Sequence, residues 1–226
     1  LKTTVISLLA LLLCLTATAQ SNFYKLSLGG GGGFTQSFTD YEKHKFGKSI
    51  YGVGEFFFTP FISLGGEGQI GRIKGEGGNL QSKSFVNSYK SLTLNAKLYL
   101  GAVIDYKRNG FSNAVKGLYL GAGIGGILNN VSGAEHPKTK DIIIPLNLGY
   151  TYYFPNKLGY YRFGININYQ SNIDLDDGID GYEKLYLTTA EEPTRSPNSY
   201  TDVYSYFSVG LRYQFGLMGL SRKTLY

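Results

Sequence analysis

The chain holds two histidines, His44 and His136, and one cysteine, Cys14, so acid–base or nucleophilic chemistry has few places to reside. A catalytic histidine needs a serine, cysteine or carboxylate within hydrogen-bond reach and a third group to orient it. His44 lies between Lys43 and Lys45 with Asp40 and Glu42 nearby, and His136 precedes Pro137. Both fall in expected loops, and neither spacing assembles a relay. His44 with Asp40 or Glu42 is the pairing that leaves a lipid-modifying or proteolytic activity open; the expectation is a protein that is not an enzyme.

Nucleotide motifs fare no better. "GAGIGG", Gly121 to Gly126, matches a dinucleotide fingerprint, and Asp141 follows Gly121 at the right interval. That fingerprint requires a strand, a turn and then a helix. A polar stretch with Gly133 and Pro137 follows instead, so these read as strand glycines facing a crowded interior. "GKS" at 47–49 fails as a phosphate loop because Glu42 stands where a glycine is needed. No cofactor is expected.

A calcium loop is the remaining metal candidate. Residues 171–200 hold seven of the chain's sixteen acids. Counting from Asn172, oxygen ligands fall at Asn172, Asp174 and Asp176, with Glu183 twelfth. The sixth place, which must be glycine for the sharp turn, is Asp177, and Gly178 comes one late. A solvated acidic loop is the reading; a weak surface calcium site is the alternative.

Such residues must be positioned by elements, and the elements announce themselves by a period of two. From Leu92 to Ile104 every second residue is apolar, with Thr93, Asn95, Lys97, Tyr99 and Gly101 between them. Strands of water-soluble proteins usually run about five or six residues, whereas a tilted strand crossing a bilayer needs roughly nine to eleven. Eight alternating segments are expected, about Phe23 to Phe34, Ser49 to Phe58, Phe61 to Ile73, Tyr89 to Tyr106, Lys116 to Leu128, Ile142 to Phe154, Tyr160 to Gln170 and Thr201 to Phe215. Short connections near Thr59-Pro60, 107–110 and 155–158 alternate with long polar ones near 35–48, 74–88, 129–141 and 171–200. An isolated strand cannot lie in lipid with unpaired backbone groups; only a closed barrel satisfies them all. The fold expected is therefore all-β, an eight-stranded antiparallel up-and-down transmembrane β-barrel with its N-terminus in the periplasm.

Composition agrees. The 226 residues include 31 Gly, 20 Tyr and 14 Phe but no Trp, and the mean hydropathy is −0.12. The net charge of +6 does not indicate nucleic acid, because the basic residues are scattered singly along the chain. Residues 1–19 read as a signal peptide, with Lys2, an apolar run from Val5 to Leu15 and Ala17-Thr18-Ala19 before Gln20. Residues 20–215 then form the barrel and 216–226 a short C-terminal tail. The cysteine lies in the signal segment, so disulfides play no part.

Periodicity alone does not tell inside from outside: a lipocalin-type barrel would line its cavity with the apolar face. The opposite face decides. Glu55, Glu67, Lys97, Arg162 and Arg212 carry both signs among Asn, Gln and glycine, which suits a narrow lumen where charges pair. Eight strands leave room for little more than side chains, so a plugged core is expected rather than an open pore.

"SVGLRYQF", residues 208–215, places Ser208, Gly210, Tyr213 and Phe215 in the polar-x-Gly-x-x-aromatic-x-aromatic pattern of closing strands. In this the chain resembles the small outer-membrane β-barrel proteins of Gram-negative bacteria grouped around the OmpA-type transmembrane domain. Its Tyr/Gly-rich strands are similar to members from Bacteroidota, including PorT-like proteins, some of which are associated with protein secretion. The resemblance implies that residues 208–215 are recognised by the barrel assembly machinery and that the surroundings are outer-membrane lipid. The pattern usually closes the protein, whereas here "GLMGLSRKTLY" follows. The function expected is a structural or accessory envelope component that binds another envelope protein through long loops or the tail, with a small pore or gated channel as the alternative.

Overall fold

In the computed structural model, residues 21–38, 43–76, 85–105, 110–132, 138–155, 161–175 and 203–221 are described. Eight strands make up most of them: β1 (Ser21–Phe38), β2 (Lys43–Thr59), β3 (Ile62–Glu76), β4 (Phe85–Tyr99), β5 (Leu118–Ser132), β6 (Lys138–Pro155), β7 (Tyr161–Asp174) and β8 (Val203–Ser221). Each pairs antiparallel with its sequence neighbours, and β8 pairs with β1, so the sheet closes into an eight-stranded up-and-down barrel with no open edge. The signal-peptide reading of residues 1–19 lies outside the described residues.

Alternation sorts side chains by face. Along β4, Tyr89, Ser91, Thr93, Asn95, Lys97 and Tyr99 are buried inside, while Leu92, Leu94 and Leu98 are exposed outside. Three apolar clusters occupy the interior. Phe23, Phe57, Phe61, Tyr99 and Tyr119 close the end where β1 begins and β8 ends, the terminal end of the described residues; Tyr51, Val53 and Tyr206 lie midway. Ile73, Tyr89, Ile127, Val131, Ile143 and Tyr204 fill the far end.

The strands differ from their sequence outline in three ways. First, they run deep into connections expected to be long. β1 reaches Phe38 and β2 starts at Lys43, β3 reaches Glu76, and β5 and β6 leave only 133–137 between them. These extensions carry polar residues on both faces, as with Arg72 and Lys74 outside against Ser37 inside, with Val131 and Phe46 among the apolar exceptions, so hydropathy stops alternating while hydrogen bonding continues. Of the four connections expected to be long, 175–202 alone keeps its length.

Second, β4 stops at Tyr99 although apolar alternation continues to Ile104. The Tyr99 amide donates to the Phe61 carbonyl at 2.8 Å, and Leu100–Ala102 then turns as a 3-10 helix. The Gly101 amide donates to the Lys116 carbonyl at 3.0 Å. Ala102 and Ile104 pack against the aromatic cluster at that end, so their apolar character serves a cap rather than a crossing. A short helix, α1 (Gly110–Val115), completes a segment expected to be a tight turn.

Third, β8 continues beyond Phe215. Leu26 pairs with Phe215 and Tyr24 with Met218, so β8 carries an extra residue there. Gly216 adopts φ 83°, a conformation that costs an L-residue a Cβ clash and glycine nothing. Residues 216–221 are thus strand, paired with β1 as far as Ser21, rather than a detached tail.

Candidate functional site

Three of the interior charges, Glu55, Lys97 and Arg212, gather on a closed circuit of five strands. Lys97 Nζ on β4 lies 2.7 Å from Glu55 Oε1 on β2, and Glu55 Oε2 pairs with the Arg212 guanidinium on β8. Arg212 Nη2 donates to Asn166 Oδ1 on β7 at 3.3 Å. Asn166 Nδ2 donates to the Tyr119 hydroxyl on β5 at 3.0 Å, and the Tyr119 ring lies 5.1 Å from Lys97 Nζ. Glu55, Lys97 and Arg212 are 4%, 3% and 1% exposed, so solvent screens none of them. One carboxylate between two cations, with amide and aromatic partners beyond, is the arrangement that makes buried charge tolerable.

Glycines create the space. Directly opposite Glu55 is Gly65, opposite Lys97 is Gly121, and opposite Arg212 are Gly29 and Gly164. Tyr51 and Tyr119 likewise face Gly31 and Gly149. The Glu55, Lys97, Arg212 and Tyr119 side chains lie over the bare Cα atoms of Gly65, Gly121, Gly29 and Gly149 on the adjacent strands, while the Tyr51 hydroxyl reaches Gly210 on β8; pairing a large side chain with glycine suits sheets. The glycines of 121–126 are therefore strand residues, with Gly121, Gly123 and Gly125 inside opposite Lys97, Asn95 and Thr93.

Glu67 belongs to a second chain of contacts. Gln69 Nε2 donates to Glu67 Oε1 at 2.7 Å and to Gln170 Oε1 at 2.8 Å, and Gln170 Nε2 donates to Asn172 Oδ1 at 2.8 Å. A third runs from Asn87 through Asn129 to Asp141. Sequence reasoning does not single out the amides Asn95, Asn147, Asn166, Asn168, Gln69 and Gln170 or the Tyr119 hydroxyl. Strand parity is the signal available for them: each shares its strand's face with a charged or glycine position.

Arg162 is a correction. Alternation places it inside, yet it is exposed. Phe154 pairs with Phe163 and Pro155 with Tyr161, leaving Arg162 as an extra residue on β7. Such a bulge re-aims a side chain. Arg162 Nε and Nη2 donate to the Tyr24 hydroxyl at 2.9 and 2.7 Å, and Nη1 to the Tyr213 hydroxyl at 3.3 Å. It decorates the rim at the end carrying the termini.

The calcium reading is also corrected. Asn172 and Asp174 lie on the inward face of β7, both 0% exposed, two residues apart on an extended strand rather than wrapped in a loop. Asp176 and Glu183 lie outside the described residues. So do His136, Asp40 and Glu42; the His44 backbone belongs to β2 opposite Gly75 rather than to a loop. In β8, Ser208 and Gly210 face inward, while Tyr213 and Phe215 stack outside with ring centroids 6.0 Å apart.

No protein-family model matches this chain, and none of the curated proteins is similar to it. Solved structures similar in fold include two at 12% identity. The crystal structure of Neisserial surface protein A (NspA) has a TM-score of 0.49 and 12% identity, covering 86% of this chain and 99% of that one. Ail, the attachment invasion locus protein of Yersinia pestis, has a TM-score of 0.43 and 12% identity, covering 85% and 100%.

Proposed function

We propose that this chain is an outer-membrane β-barrel of a Gram-negative bacterium, a non-enzymatic structural or accessory component of the envelope. One observation carries the reading: the barrel is inside-out. Leu28, Ile50, Leu92, Leu120 and Leu211 are 57%, 65%, 69%, 65% and 67% exposed, while Glu55, Lys97 and Arg212 are buried. Water does not favour a continuous exposed apolar belt of that kind, whereas lipid does. The end sealed by Phe23, Phe61 and Tyr119 carries the termini and faces the periplasm. Residues 208–215 act as the signal read by the barrel assembly machinery; that pattern supports a kinship with OmpA-type barrels, and the Tyr/Gly-rich strands support one with PorT-like barrels. A partner in the envelope engages the long 175–202 connection or the C-terminal end.

The test is refolding into phosphatidylcholine vesicles. A folded membrane barrel resists added protease and migrates faster in SDS unheated than boiled. A chain that stays outside the vesicles in soluble form overturns the reading. A pull-down of C-terminally tagged chain from solubilised outer membranes then reports the partner.

A channel is favoured by one feature, the sharing of Glu55 between Lys97 and Arg212, since a shared carboxylate could exchange partners. Against it, aromatic and aliphatic clusters fill both ends of the lumen. Single-channel recording separates the two: a structural barrel is silent, and neutralising Lys97 leaves it silent.

A further inference from the structure

Strand pairing assembles cations that are scattered in the sequence. On the outer face, at the end away from the termini, Ile70 lies opposite Lys90, Lys90 opposite Leu128, and Leu128 opposite Lys140. One row further out, Arg72 faces Ser88 and Asn130 faces Lys138. With Lys48 and Lys74 these six cations line a single cleft of about 770 Å³, over Phe46, Ile70 and Leu128. No Asp or Glu is among its described lining residues. None of the six has an ion-pair partner among the described residues.

Toward the middle of the barrel the surface changes character at once. The next outward row is Gly68, Leu92, Gly126 and Ile142, each opposite the next. Leu92 and Ile142 are 69% and 48% exposed, and the two glycines leave shallow gaps beside them. A cationic cleft thus opens directly onto an apolar, grooved wall.

We propose that this cleft binds the phosphorylated headgroup of an acylated lipid in the outer leaflet. Lys90 and Lys140 hold the phosphate, and an acyl chain lies along Leu92 and Ile142. The inference rests on the membrane reading above. Charge complementarity selects the headgroup: lysines with no ion-pair partner among the described residues attract phosphate as point charges, and basic clusters at a membrane surface recognise anionic lipid. The adjoining apolar wall selects a lipid over a free anion, because a soluble anion has nothing to place there.

The experiment uses the full chain refolded into phosphatidylcholine vesicles, with or without lipid A in its bisphosphorylated or dephosphorylated form. Lipid retained after detergent release is read by native mass spectrometry. The wild type should retain the phosphorylated lipid in preference to the dephosphorylated one. The K90Q/K140Q double variant should lose roughly twenty-five-fold in retention, at about fivefold per cation, while K90R/K140R and the opposite-rim variant R162Q keep it. Equal retention of both lipids, displacement by millimolar inorganic phosphate, or an unaffected K90Q/K140Q that still shows the heat-dependent gel shift overturns the site. Failure of the wild type to enter phosphatidylcholine vesicles overturns the membrane reading itself, and the lipid site with it.

Discussion

Lys97 and Gly121 lie directly opposite each other on β4 and β5, and a Cβ at position 121 would stand 3.0 Å from Lys97 Cγ. The lysine stem lies flat because its neighbour has no side chain. The same holds for Glu55 across from Gly65 and Arg212 across from Gly29. These inward glycines are therefore packing residues, placed where a long inward side chain must cross to the next strand.

Gly123 and Gly126 allow a direct test. A Cβ at Gly123 would collide with the Leu94 carbonyl and stand 2.6 Å from Asn95 Oδ1, whereas at Gly126 the nearest atom is the Asp141 carbonyl oxygen at 3.8 Å. Gly123→Ala should cost about 1–3 kcal/mol, the usual range for overpacking. Gly126→Ala should stay within about 0.5 kcal/mol. Urea unfolding midpoints in detergent or lipid check both, and equal effects would remove the packing argument.

Replacing Glu55 by Gln should be the most damaging change in the lumen. It leaves Lys97 and Arg212, both nearly fully buried, without their shared carboxylate. Breaking a buried pair from one side costs about 3–5 kcal/mol. Lys97→Met should cost less, because Glu55 keeps Arg212. Unfolding midpoints of the two variants and their double mutant give the order; a Lys97 variant worse than Glu55→Gln would contradict the circuit.

How much of this is legible in the sequence depends on which side chains have to alternate. The eight strands and their faces follow from residues such as Leu92, Thr93, Leu94 and Asn95, because a two-sided environment imposes a two-residue period. Alternation misplaces Arg162 because a one-residue bulge reverses parity without altering composition. It overruns the end of β4 because Ala102 and Ile104 are apolar for a different reason, packing under the barrel. The cation cleft is invisible for a third reason. Lys48, Arg72, Lys90 and Lys140 belong to four strands, and only register shows that they fall at the same end of one outer face.

Arg162 and Arg212 should respond very differently to neutralisation. Arg162 is exposed at the rim, its guanidinium 4.9 Å from the centre of the Tyr24 ring. Solvent screens contacts this exposed, so Arg162→Ala should lower stability only slightly. Arg212→Ala should cost several times as much, since it strips Glu55 of one cation and leaves a void in the lumen. Comparing denaturant midpoints checks the contrast; similar losses would return Arg162 to the interior.

Gly216 tests the extension of β8. Its φ of 83° places any other residue in the left-handed region, at a cost of about 1–2 kcal/mol. The bulge it forms carries residues 217–221 onward to pair with β1, bringing Gly219 opposite Phe23, whose ring helps to seal the terminal end. Gly52 is the matched control: an exposed strand glycine where an added Cβ would meet nothing within 4 Å. Gly52→Ala should be neutral or stabilise by up to about 1 kcal/mol by restricting the unfolded chain, whereas Gly216→Ala should destabilise. If both variants unfold at the wild-type midpoint, the bulge contributes nothing and residues 216–221 are dispensable to the barrel. If Gly216→Ala alone falls, the last six strand residues are part of the closure, and a partner captured by the C-terminal end must bind beyond them or against their outer face.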